Sequence, residues 1–89
     1  MVKRYRQDPL VIEAIEFEPD NWEDIIHWLR INGKSYLFKT VIANSVGGIE
    51  KFIFKNGMIA RIGDYIVKWP DGNFYVYRPK LFKEICKEI

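Results

Sequence analysis

The chain has 89 residues, of which 48% are hydrophobic, 16% aromatic and 29% charged; that composition excludes a disordered polymer and suits one small domain, residues 1–89. The formal charge of +2 is too small by itself to call for nucleic acid. A single cysteine, Cys86, excludes an internal disulfide and a cysteine-based metal site, and no apolar run approaches membrane-spanning length.

The chain opens on a basic stretch, Lys3, Arg4 and Arg6 around Tyr5. Such an arm either grips phosphates or a neighbouring subunit, or frays as a solvated end. The acids in the segment that follows break up any signal-peptide core, so a cytoplasmic protein is expected. "LVIEAIEFE" (10–18) reads as a strand from its β-branched residues and the prolines on either side. Its alternation is imperfect: Val11, Glu13, Ile15 and Phe17 share a face, which leaves Glu13 half-buried or at an edge.

"PDNWEDIIHWLRING" (19–33) is the clearest helix. Asp20 is expected as N-cap, with Glu23 completing a capping box. Trp22, Ile25, Ile26 and Leu29 form one apolar stripe, and Trp28 lies beside it, partly covered. Gly33 suits the left-handed position past the helix end. "SYLFKTVIA" (35–43) reads as a strand with Tyr36, Phe38, Thr40 and Ile42 on one face, and "NSVGG" (44–48) as a turn.

Two hairpins follow. Asn56-Gly57 predicts a two-residue turn that pairs Phe54 with Ile59, Ile53 with Ala60 and Phe52 with Arg61. "WPDGN" predicts a turn with Pro70 at its second position and Gly72 as the left-handed bulge residue. That sets Trp69 opposite Asn73, Lys68 opposite Phe74, Val67 opposite Tyr75, Ile66 opposite Val76, Tyr65 opposite Tyr77 and Asp64 opposite Arg78. Tyr65, Val67, Trp69, Tyr75 and Tyr77 then share one face, while Ile66, Phe74, Val76, Lys68, Asp64 and Arg78 share the other. "RPKLFKEICKEI" reads as a closing helix with Pro79 in its first turn and Leu81, Phe82, Ile85 and Ile89 as its stripe. The order β-α-β-β-β-β-β-α implies an α+β fold. Its small curled antiparallel sheet has about five to six strands, with a partly closed barrel as a variant, and carries two helices.

The opening "KRYRQDPLVIEAIEF" and the closing "GDYIVKWPDGNFYVYRPKLFKEI" resemble those of a widespread family of small bacteriophage and prophage proteins. The resemblance spans most of the chain in order. That family usually carries proline where this chain has Ile62, and a shorter glycine turn where it has "WPDGN". The resemblance implies phage origin, action in the host cytoplasm and no assigned reaction; small phage proteins of this kind are often counter-defence factors.

Catalytic chemistry is sparse. His27, the only histidine, sits opposite the helical stripe, where a solvated side chain is expected rather than a base. Cys86 is expected as a structural thiol, although Lys83 and Lys87 nearby would lower its pKa. The carboxylate pairs Glu13/Glu16 and Glu23/Asp24 lack a partner that would split acid from base. Gly47-Gly48 is no phosphate loop, and no His/Cys/Asp cluster has ligand spacing. No enzyme and no cofactor are therefore expected.

What remains is aromatics among cations. Tyr65, Trp69, Tyr75 and Tyr77 either stack a base or fill a core; Arg61, Lys68 and Arg78 lie in the same strands and could hold phosphates. Arg4, Tyr5, Arg6 and Trp28 are secondary candidates. The leading expectation is a non-enzymatic module acting on the host. It would either sequester a small nucleotide, in a pocket that a homo-oligomer could share, or block a host protein through Trp69 and Trp28. The alternatives are a single-strand nucleic-acid binder on a sheet surface, for which the basic bias from Arg30 onward argues, and a phage structural or assembly component.

Overall fold

The structure, a computed structural model, describes residues 1–33, 38–42 and 48–89, with side chains for all of these but Val41 and Ile42. The element order is β1 (Lys3–Gln7), β2 (Leu10–Glu16), α1 (Trp22–Ile31), β3 (Phe38–Ile42), β4 (Ile49–Phe54), β5 (Ile59–Arg61), β6 (Tyr65–Lys68), β7 (Phe74–Tyr77), α2 (Pro79–Ile85) and β8 (Lys87–Glu88). The expected α+β class holds, but the strands form two antiparallel sheets rather than one. A five-stranded sheet runs β7-β6-β2-β1-β8 and a three-stranded sheet runs β3-β4-β5; the curl is partial, and the described strands do not close into a barrel. The expected strand residues 35–37 and 43, and turn residues 44–47, lie outside the described residues.

β2 is the centre of the five-stranded sheet and is covered on both sides. Ile15 and Phe17 join α1 (Ile25, Trp28, Leu29) and the three-stranded sheet (Phe52, Phe54, Ala60) in one core. Ile12 and Ala14 join Tyr65, Val67, Phe82 and Cys86 in a second core under α2. A strand buried on both faces carries a nearly continuous apolar run, which is why its alternation looked imperfect.

Local turn chemistry fixed one hairpin as expected. The β6–β7 register pairs Tyr65 with Tyr77, Ile66 with Val76, Val67 with Tyr75 and Lys68 with Phe74. Trp69 N–H donates to the Asn73 carbonyl at 2.9 Å, Gly72 takes φ 89°, and Asp71 Oδ1 accepts from Asn73 N–H at 2.9 Å. The Asn56-Gly57 hairpin is built the same way, which corrects the expected two-residue turn. Phe54 N–H donates to the Met58 carbonyl at 2.8 Å, Gly57 takes φ 91°, and Asn56 Oδ1 accepts from Met58 N–H at 3.0 Å. One residue more in the loop shifts the register by one, to Phe52 opposite Ala60 and Lys51 opposite Arg61. Ala60 therefore faces the core beside Phe52 and Phe54, and Ile59 turns outward with Ile53.

Three other expectations change. The Lys3–Gln7 stretch is no loose arm but a strand, paired with β2 through Asp8-Pro9, whose peptide is cis. Asp20 does not cap α1, whose N-cap is Asn21, and no capping box forms. Asn21 instead accepts from Glu18 N–H at 2.8 Å and donates to the Glu16 carbonyl at 2.7 Å, which bolts the end of β2 to the start of α1. The closing helix stops at Ile85, and Lys87 and Glu88 pair with Arg6 and Tyr5 as a short edge strand. Its buried residues are Phe82 and Cys86, while Leu81, Ile85 and Ile89 are exposed. Gly33 takes the expected left-handed conformation, φ 70°, beyond α1.

Candidate functional site

The ring-bearing face of β6–β7 points under α2 and is largely committed to internal contacts. Tyr65 is buried, stacked on Phe82 at 3.8 Å and 4°, and its hydroxyl donates to Glu16 Oε1 at 3.3 Å. Tyr5 meets Phe82 edge-on at 4.8 Å. Trp69, half-buried, donates through Nε1 to the Tyr77 hydroxyl at 3.0 Å, and that hydroxyl donates to Gln7 Oε1 at 2.7 Å. Tyr75, also half-buried, leans on Trp69 at 5.0 Å. Burial, then the charges of Glu16 on Tyr65 and of Glu88 on Tyr5, raise the pKa values of both tyrosines above 10.0. Trp28 is not a half-covered anchor: at 5% exposure it packs edge-on against Phe74 at 5.1 Å. Cys86 is buried 4.0 Å from Gln7 Oε1, and desolvation pushes its thiol up rather than down.

The cations of these strands stand apart from the rings, as the register predicts for Lys68 and Arg78. Lys68, Arg78 and Arg61 are not on the ring face. Lys68 stands in a row with Glu13 and Arg4 across β6, β2 and β1, on the α1 side of the sheet. None of the three closes an ion pair with another, and Val11 beside them is 39% exposed. Arg6 is exposed and pairs with Asp8 at 3.9 Å. Glu13 and Lys68 line both an open depression of about 650 Å³ against Asp24, His27, Trp28 and Ile31, and a smaller one of about 220 Å³ reaching Arg4. With both signs of charge over an apolar floor, this surface selects no one class of ligand.

The outer face of the three-stranded sheet is different. Phe52, Phe54 and Ala60 point into the core, so the alternate positions point away from it. Those positions carry Lys39, Lys51 and Arg61, with Ile53 and Ile59 between them, and exposed Lys55 at the hairpin tip. Lys51 and Arg61 are register partners, a like-charge pair that opposes folding. One acid shares the strand: Glu50 is exposed in β4 beside Lys51, at the β3–β4 register shift. Lys39 and Lys51 were not singled out in the sequence. The signal existed in the Lys51, Ile53, Lys55 alternation, but a two-residue turn places Arg61 on the opposite face.

Arg61 also borders a second feature, an opening of about 240 Å³ between β5 and β7, lined by Gly57, Met58, Ile59, Arg61, Val76 and Arg78. Asp64 organises its rim. It is 4% exposed, accepts from Arg61 N–H at 2.9 Å, and pairs through the same Oδ2 with Arg78 Nη1. The Arg61 side chain has no partner among the described residues. Val76 N–H, on the outer edge of β7, donates only to Met58 Sδ at 3.4 Å.

Among the described residues, no group of three or more His, Cys, Asp or Glu side chains is placed to hold a metal, and no helix is long and apolar enough to cross a membrane. No family model, curated protein or solved structure matches the chain.

Proposed function

We propose that this chain is a non-enzymatic binding module for single-stranded nucleic acid, held by its phosphates on the outer face of β3–β4–β5. One observation carries the reading. Lys39, Lys51 and Arg61 share one open sheet face, and Lys51 stands directly opposite Arg61. Like charges on neighbouring strands raise the energy of the folded chain, and a polyanion laid across them lowers it. Ile53 and Ile59 offer an apolar floor for bases, but no ring belongs to this face among the described residues. Affinity then rests on phosphates and sequence preference is weak. The resemblance to small phage proteins supplies the setting, a phage-encoded factor that occupies nucleic acid in the host cytoplasm as counter-defence. A nucleotide sponge built on Tyr65 and Tyr77, or a protein blockade anchored on Trp28 and Trp69, is supported less, because those side chains already serve internal contacts.

The test is fluorescence polarisation with a labelled single-stranded oligonucleotide across a salt series. Three phosphate contacts give a slope of about −2 in log affinity against log salt, so affinity falls about 20-fold between about 50 and 200 mM. Lys39→Gln with Lys51→Gln reduces the slope to about −0.7. Lys51→Gln alone also stabilises the fold, by about 0.2–1 kcal/mol, by removing the like-charge pair. Absence of binding at low salt, to the oligonucleotide and to heparin alike, refutes the proposal.

A further inference from the structure

We infer that the opening between β5 and β7 is a phosphate subsite, through which this chain prefers a nucleic-acid strand ending in a phosphomonoester over one ending in a hydroxyl. The inference rests on the proposed reading and adds to it a specific end of the ligand. Its first support is the ladder geometry. Hydrogen-bonded pairs alternate along an antiparallel hairpin. Trp69–Asn73 is such a pair, so Val67–Tyr75 and Tyr65–Tyr77 are too, and Phe74 and Val76 turn their N–H groups outward. By the same count from Phe54–Met58, Ile59 turns outward on β5. Two strand edges thus border one opening without pairing across it. The acceptor that Val76 N–H does find, a thioether sulfur, is a weak one.

The second support is charge. Among the described residues, the charged side chains lining the opening are Arg61 and Arg78. Arg78 spends one nitrogen on Asp64, and the rest of its five-donor fork remains, with the side chain 59% exposed. Asp64 neutralises one of the two guanidinium charges, and its Oδ2 already accepts from both arginines. One positive charge, a guanidinium fork on either side and outward backbone N–H groups therefore remain. Guanidinium forks match the geometry of phosphate oxygens. The volume, about 240 Å³, equals roughly eight waters, enough for a phosphate group and part of its solvent. A terminal monoester carries about −1.5 to −2 near neutral pH, more than a diester within the strand, so the subsite favours ends. Continuity completes the argument: Arg61 borders both the basic face and the opening, so a strand lying on the face can run its end into it.

The experiment compares one labelled oligonucleotide in three forms: 5′-phosphate, 3′-phosphate and hydroxyl at both ends. The expected result is that one phosphorylated form binds about tenfold tighter than the hydroxyl form. Arg61→Lys keeps the charge but loses the fork, so it removes most of the preference, read as the ratio of phosphorylated to hydroxyl-ended affinity within the same variant. Arg78→Gln, checked for folding by circular dichroism, reduces the preference as a second, independent variant. Equal affinity of all three forms overturns the subsite while the nucleic-acid reading stands. A preference that survives both variants overturns it as well, and failure of every form to bind overturns the reading on which it rests. Competition by a free mononucleotide at the strand's own concentration overturns the strand end in favour of a nucleotide ligand.

Discussion

Phe82 is the one large apolar side chain that α2 contributes to the second core. It is 3% exposed, stacks on Tyr65 at 3.8 Å and meets Tyr5 edge-on at 4.8 Å. α2 is seven residues long, too short to persist by backbone hydrogen bonding alone, so its place on the sheet depends on Phe82 and the neighbouring Cys86. Phe82→Ala removes most of a buried ring, leaves a cavity beside Tyr65 and Val67, and gives up three aromatic contacts, to Tyr5, Tyr65 and Tyr77. Phenylalanine-to-alanine changes at such sites cost about 3–5 kcal/mol. A chain of 89 residues has about 4–13 kcal/mol in total, so the loss is roughly a quarter of its stability or more. At about 4–8 °C per kcal/mol, the melting temperature falls by roughly 12–40 °C. Urea unfolding followed by far- and near-UV circular dichroism measures the change, with Leu81→Ala, at 46% exposure, as the control expected within about 0.5 kcal/mol. A loss of less than about 1 kcal/mol for Phe82→Ala would mean that α2 does not hold the second core, and the account of the ring-bearing face as interior would fall with it.

Two further expectations test separate parts of the fold. Asn21→Ala leaves Glu18 N–H and the Glu16 carbonyl without their partner and costs about 1–3 kcal/mol in chemical denaturation, whereas Asp20→Ala, with no bond to lose, stays within about 0.5 kcal/mol. Cys86, Tyr5 and Tyr65 all have pKa values raised in the folded state, from ordinary values of 9.0 for the thiol and 10.0 for the phenols. Above those values the unfolded chain loses protons that the folded chain keeps, so stability is full through neutral pH and falls as pH rises past about 9. Melting temperatures between neutral and alkaline pH follow this; Cys86→Ala flattens the earliest part of the decline, and a profile unchanged by that substitution contradicts the assignment.

The sequence separated well what local chemistry decides. "WPDGN" set its hairpin to the residue because the left-handed glycine and the Asp71 side chain close the turn without help from the rest of the chain. That register sorted Tyr65, Val67, Trp69 and Tyr77 from Ile66, Phe74 and Val76 as the two cores sort them. The same chemistry was legible at Lys55-Asn56-Gly57, but an Asn-Gly dipeptide fits loops of two residues and of three. The choice between them, made where Ala60 rather than Ile59 fits against Phe52 and Phe54, moved Arg61 to the face that Lys51 occupies.

Tertiary structure alone decided which face each layer covers. Nothing in "KRYR" marks it as a strand; it becomes one because β2 is central and needs a neighbour on that side. Nothing in the last helix announces that Phe82 will stack on Tyr65, which turned the four rings of β6–β7 from a candidate contact surface into mainly interior. Nor does any local pattern assemble a basic surface from Lys39, Lys51 and Arg61, which come from three strands. Strand phase is set over a few residues by turn geometry, whereas coverage of a face depends on long-range burial, where apolar area removed from water outweighs any local preference.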